Sequence, residues 1–205
     1  MLNKKIFACF VFMFVFLVTV CAEVITFSAK KMEGNTGDKE EYTKLIGDAR
    51  IKTETLEIFA DEILLFGKDF RFIKATGNIK GINNEAGFDF SCNLMKYDRE
   101  TKLAVLEQNV NMIDKANDVN ASAQIIEYRQ DTEIAIMQID VSIKQKENTC
   151  SGAVAIYRKA QQVLELSGNP KIERKNDVFR AQEILLNIKT EEIILDGKVR
   201  GSVSD

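Results

Sequence analysis

The chain is expected to fold as an all-β protein, a stack of about six hairpin units of roughly 30 residues each, open at both ends. Three observations lead there. From Tyr97 to Met112 apolar positions alternate with polar ones after a charged turn, Asp98-Arg99-Glu100-Thr101, as in a hairpin with one covered face. An apolar position recurs at Leu45, Ala75, Leu106, Met137, Leu166 and Leu195, and a second four residues later at Ala49, Ile79, Val110, Val141, Pro170 and Val199. An aromatic position recurs at Phe66, Tyr97, Tyr128 and Tyr157, with Asn187 in the fifth place. Chance periodicity would drift, whereas these columns hold register, so each unit covers its neighbour's apolar face.

Composition is that of an ordinary globular domain, with one proline and no low-complexity tract. Histidine is absent, which removes the commonest general base and metal ligand. The formal charge is −3, more acidic still without Lys4 and Lys5, and Lys and Arg are spread among turns; this excludes a nucleic-acid partner. No catalytic residue, cofactor or metal site emerges, and the chain is expected not to be an enzyme.

In chain order, residues 1–22 read as a signal peptide: Lys4 and Lys5, the apolar stretch Ile6 to Val20, then Val20-Cys21-Ala22 before Glu23. Acylation at Cys21 and retention as an anchor compete with cleavage; Val20 is larger than lipoprotein signals prefer, and about 15 apolar residues fall short of the roughly 20 that span a bilayer. Residues 23–205 then form one domain. Its first strand is Val24 to Met32, followed by a Gly-rich acidic loop, EGNTGDKEEY. Ala29, Ala60, Ser91, Ser122, Ser151 and Ala181 form a small column that suits a sharp bend or a close approach of facing sheets; a nucleophilic serine there would lack a base.

Gly47, Gly77, Gly168 and Gly197, with Gln108 and Gln138 in the central copies, mark bulges within strands; each precedes a strand, unlike a phosphate cradle before a helix. Polar connections follow at Ile82 to Gly87, Asp114 to Val119, Lys144 to Thr149 and Glu173 to Val178. Asp114, Asn117 and Asp118 lack the spacing of a calcium loop and read as a solvated turn. Cys92 and Cys150, placed two rungs or about 10 Å apart, are expected to be free, buried thiols.

Phe27-Ser28-Ala29 with Met32-Glu33, Phe59-Ala60-Asp61, Gly77-Asn78-Ile79 and above all Tyr97 to Val110 carry a resemblance to the OstA-like, LptA-type family of periplasmic lipopolysaccharide-transport proteins. It covers Val24 to Val203; Gln108, Gln138, Pro170 and Asn187 depart from its pattern. The resemblance implies a twisted antiparallel β-jelly roll that carries lipopolysaccharide or a related glycolipid across the periplasm to the outer membrane, with other transport components at both membranes as partners. Physical chemistry explains the match of fold and cargo, since each alkyl CH₂ left in water costs about 0.8 kcal/mol.

Leu45, Ala49, Ala75, Ile79, Leu106, Val110, Met137, Val141, Leu166, Leu195 and Val199 are then the candidate lining of a lipid groove. A dry sandwich core would bury the same columns, but Leu94 and Met95, Ile125 and Ile126, and Ile184 and Leu185 make both strand faces apolar, a surplus that a groove would absorb. The terminal strands, with Val24 and Phe27 at one end and Ile193 and Val199 at the other, carry no proline or helical cover and are expected to pair head to tail between copies. A membrane-anchored relative in the same pathway and a ligand-free polymerising β-repeat remain the alternatives.

Overall fold

The structure, a computed structural model, describes residues 24–35 and 41–204. The expected signal peptide, the loop residues 36–40 and the last residue lie outside these. Strands β1 (Thr26–Ser28) and β2 (Lys31–Asn35) are followed by eight long strands. These are β3 (Tyr42–Lys52), β4 (Leu56–Phe66), β5 (Phe72–Asn83), β6 (Phe88–Asp98), β7 (Leu103–Asp114), β8 (Val119–Arg129), β9 (Ile134–Gln145) and β10 (Asn148–Arg158). Six short strands complete the chain: β11 (Val163–Ser167), β12 (Lys171–Arg174), β13 (Asp177–Arg180), β14 (Glu183–Asn187), β15 (Ile193–Asp196) and β16 (Arg200–Ser202). A 3-10 turn at Lys68–Phe70 lies between β4 and β5.

All sixteen strands belong to one antiparallel sheet, in which β3 to β10 form an unbroken meander. The short strands are halves of longer lines: β1 and β2 pair with the two halves of β3, and β12 and β11 with the two halves of β10. The line of β11 and β12 breaks at Gly168-Asn169-Pro170, where proline has no N–H to donate. Strands begin and end closer to the turns than the sequence indicates: β2 runs to Asn35, β3 starts at Tyr42, and only residues 146–147 separate β9 from β10.

Every second line bends at one level. Gly47-Asp48, Gly77-Asn78, Gln108-Asn109, Ile139-Asp140, Gly168-Asn169 and Gly197-Lys198 all have φ between 46° and 77°. In four ladders such a pair of residues opposes a single one, at Asp61, Asn93, Gln124 and Ala153. Glycine and then Asn or Asp are the residues that enter left-handed backbone at least cost, so the Gly-Asn signature is the chemistry of this corner. At Gly77 a Cβ would run into the Asp61 carboxylate.

The corner folds the sheet into two facing limbs, which we call the lower limb (β1, β12, β13, β16 and the halves of the long strands that continue them) and the upper limb (the remainder). The structure also corrects three columns read from the sequence. Ile139, not Gln138, stands in the glycine position. Leu65 and Leu186 point inward where Phe66 and Asn187 are aligned, so the aromatic column is Tyr97, Tyr128 and Tyr157. The inward small residues beside the corner are Ala60, Cys92, Ala123 and Gly152, one place after Ser91, Ser122 and Ser151. The column is still small, as the bend requires.

Ile139 is a β-branched residue in left-handed backbone with φ 66°, and its side chain is 52% exposed. Little burial offsets the strain. Ile139→Gly is expected to raise stability by about 1 kcal/mol, the left-handed penalty less the entropy of glycine. A thermal midpoint about 2–4 °C higher by calorimetry is the expected reading; an unchanged or lower one would show that the corner is not strained there.

Candidate functional site: an apolar interior with a polar mouth

Between the limbs runs an apolar interior. Of the eleven residues expected to line it, Leu45, Ala49, Ala75, Ile79, Leu106, Val110, Met137, Val141 and Leu166 are buried at 0–3% exposure. Leu195, on the last line, is half-buried, and Val199 is 53% exposed because no further strand covers it. The intervening strands, absent from the expected set, supply as much: Ile58, Ile63, Met95, Ile126 and Ile184 face inward, and on the lines already represented so do Ile51, Met112, Ile143 and Ile172. The same period of about 30 residues runs through them and would have found them. Of the doubly apolar pairs, Met95, Ile126 and Ile184 point in, while Leu94, Ile125 and Leu185 point out and are half-buried. That surplus belongs to the outer face and not to the interior.

On one side the limbs are joined through the corners by continuous chain. On the other their hairpin turns meet to form a mouth, and here polar residues recur with the repeat: Asn83, Asp114, Gln145 and Arg174 end successive lower-limb strands, and Thr53 directly follows the last residue of β3. Thr53, Asn83 and Asp114 each shape their own turn. Thr53 Oγ1 accepts from the Leu56 N–H at 3.0 Å, Asn83 Oδ1 from Ala86 at 2.8 Å, and Asp114 Oδ1 from Ala116 at 3.0 Å and Asn117 at 3.3 Å.

Asp114 is therefore a turn-former as its sequence suggests, but it is 0% exposed and not solvated. Its Oδ2 accepts from the Tyr157 hydroxyl and from Asn117 Nδ2, both at 2.8 Å, and lies 3.4 Å from Lys159 Nζ. Burial, and then the hydrogen bond to Asp114, pushes the Tyr157 hydroxyl well above its ordinary range, so it remains a donor. Lys159, only 15% exposed, also donates to the Ala86 carbonyl and sits 4.4 Å from the centre of the Phe88 ring.

Further contacts cross the mouth along the stack. Gln162 Nε2 donates to Asn117 Oδ1 at 3.0 Å, and Glu191 binds both Lys146 and Arg174 at 2.7 Å. Beside them the Tyr128 hydroxyl, Gln145 Nε2 and Asn148 Oδ1 are buried and have no hydrogen-bond partner among the described residues. The interior behind Phe88 holds a cavity of ≈ 30 Å³ lined by Phe88, Phe90, Met95, Leu106, Met112 and Tyr128, among others. That is room for about two water molecules.

Cys92 and Cys150 are free and buried, as expected. They lie on β6 and β10, four rungs apart or about 19 Å, which is further than the sequence indicates and well beyond bridging. Burial pushes their thiols up to about 11 and about 12, so both stay protonated and unreactive near neutral pH. Among the described residues no group of three carboxylate or thiol side chains is placed to hold a metal ion.

A sheet folded at a repeated corner, open at both ends, apolar inside and polar along one mouth defines a β-jelly roll of the repeat-built kind. The family model described as LptA/(LptD N-terminal domain) LPS transport protein matches residues 28–163. The chain belongs to that family. Among solved structures it is similar to the crystal structure of LptH from Pseudomonas aeruginosa, described as the LptA-homologous periplasmic component of the conserved lipopolysaccharide transport device. Identity is 12%, over 89% of this chain and 96% of that one, with a TM-score of 0.28. No curated protein matches.

Proposed function

We propose that this chain is a periplasmic, non-enzymatic component of lipopolysaccharide transport, exported by residues 1–22, whose domain 23–205 binds lipopolysaccharide or a related glycolipid between its limbs and hands it on toward the outer membrane. The observation that carries the reading is the continuity of an apolar interior through every repeat beside a polar mouth, the two environments an amphiphile's chains and head group require. Family membership supports the substrate class. Its partners are other components of the transport system at both membranes and further copies of itself, joined through terminal strands that each have one neighbour.

The test uses the two strand faces. A photoreactive amino acid at Met95, which points inward, should cross-link to lipopolysaccharide in a folded sample, whereas the same group at the outward neighbour Leu94 should not. Cross-linking at both positions or at neither would overturn the reading of the interior as the lipid site.

A further inference from the structure

Resting on the reading of the interior as a lipid site, we infer that alkyl chains enter it sideways, through the mouth beside Lys159, and that the Asp114–Lys159 cluster is the latch that closes this entrance. Among the described residues the closed interior has no space for a chain. Its buried apolar residues from Leu45 to Leu186 are packed to 0–7% exposure, and the cavity behind Phe88 holds ≈ 30 Å³. An alkyl chain fits only if the limbs part.

Entry along the stack would require a bulky polar head to follow its chains through a filled apolar core, which strips it of water without offering partners. Parting at the corner would break the backbone ladders of every strand that bends there. The mouth differs from both. Among the described residues every backbone-to-backbone bond near it stays within one limb, so side chains alone tie the limbs together. These ties include the Lys159 contacts to Asp114 and the Ala86 carbonyl, the Tyr157 hydroxyl to Asp114, Asn117 Nδ2 to the Tyr157 hydroxyl, Gln162 to Asn117, Lys102 to Glu85 at 3.9 Å, and Glu191 to Lys146 and Arg174.

The chemistry of the mouth favours a two-state closure. A buried ion pair adds little net stability compared with its loss of hydration, and water regains both charges when the limbs part. The Tyr128 hydroxyl, Gln145 Nε2 and Asn148 Oδ1 have no hydrogen-bond partner among the described residues in the closed form, so opening supplies them with water or with a polar group of the lipid. Phe88 links latch and interior: Lys159 lies over its ring, and the ring lines the cavity, 4.9 Å from that of Tyr128. Drawing Lys159 away thus uncovers the aromatic wall that a chain would meet first.

Cysteines replacing Asn117 and Gln162, bridged by a short bis-maleimide, hold the mouth shut, and a bridge between Lys96→Cys and Glu107→Cys on the outer face of one limb serves as control. Uptake of cis-parinaric acid, a single fluorescent alkyl chain, should slow at least tenfold in the first chain and remain unchanged in the second. Lys159→Met, which removes a latch side chain without cross-linking, should speed uptake several-fold. Reaction of the native thiols Cys92 and Cys150 with a small disulfide reagent reads opening without lipid, and should slow only under the mouth bridge. Uptake equally fast with and without the mouth bridge overturns sideways entry while leaving the lipid site standing. A bridge that shields the thiols in a chain that takes up no probe in any form overturns the lipid reading, and the inference with it.

Discussion

Replacing Asp114 by alanine is expected to lower the free energy of unfolding by about 3–5 kcal/mol, the usual loss when one partner of a buried charged pair is removed and the other is left behind. The size follows from the setting. Asp114 is 0% exposed, and its two oxygens serve the Tyr157 hydroxyl, Asn117 Nδ2, two turn N–H groups and Lys159. Alanine leaves a hydroxyl and an amide side chain short of an acceptor, together with an ammonium group that is 15% exposed. Tyr157→Phe removes a single donor and should cost only about 1–2 kcal/mol. Urea unfolding midpoints of the three chains provide the comparison, and because a buried pair is screened little, the Asp114 effect should persist in 1 M salt. An effect below about 1 kcal/mol, or one that salt abolishes, would mean that the pair behaves as a surface ion pair and does not hold the limbs together.

The second large effect concerns assembly. The native chain is expected to sediment as a series of species whose mean size rises with concentration, and a Val199→Pro chain as a monomer over the same range. Among the described residues β1 and β2 pair only with β3 at one end, and at the other β15 pairs only with β14 and β16 only with β13. Each end therefore presents a row of backbone donors and acceptors on its outer side. The two rows are ends of the same kind of ladder, so one copy's last line can continue another's first, and a head-to-tail contact of this type does not close on itself. Val199 stands at the corner of the last line, 53% exposed, between Lys198 in left-handed backbone and the first residue of β16. Proline there removes a donor and stiffens the corner without touching the packed core. Far-ultraviolet circular dichroism establishes that the variant is folded. A native chain that stays monomeric throughout, or a folded variant that assembles as readily, would refute pairing through these edges.

Much of this molecule is legible in the chain as written. The columns Leu45, Ala75, Leu106, Met137 and Ala49, Ile79, Val110, Val141 are buried as the period implies, Cys92 and Cys150 are free and buried though four rungs apart and not two, and the bend recurs with the repeat. The one-place errors arise because the period is not constant. The turn from β4 to β5 spans residues 67–71, one residue longer than the turns 99–102, 130–133 and 159–162, and Gln108 and Ile139 stand 31 places apart where Gly47 and Gly77 stand 30. With a strand period of two, a one-place shift exchanges inside for outside. Hence Ser91 for Cys92, Phe66 for Leu65, and Gln138 for Ile139.

The sequence by itself determined the stacked hairpins, the level of the corner and the family, because these depend on residues a few places or one repeat apart. Tertiary structure alone decided which face turns inward and what closes the mouth. Leu94 and Met95, or Ile125 and Ile126, are equally apolar, so only the fold of one limb onto the other distinguishes them. The mouth is joined by residues far apart in the chain, Lys159 with Ala86 across 73 positions and Tyr157 with Asp114 across 43. Side chains that meet only when two limbs close leave no local pattern, since their partners are set by the geometry of the corner and not by any neighbour in sequence.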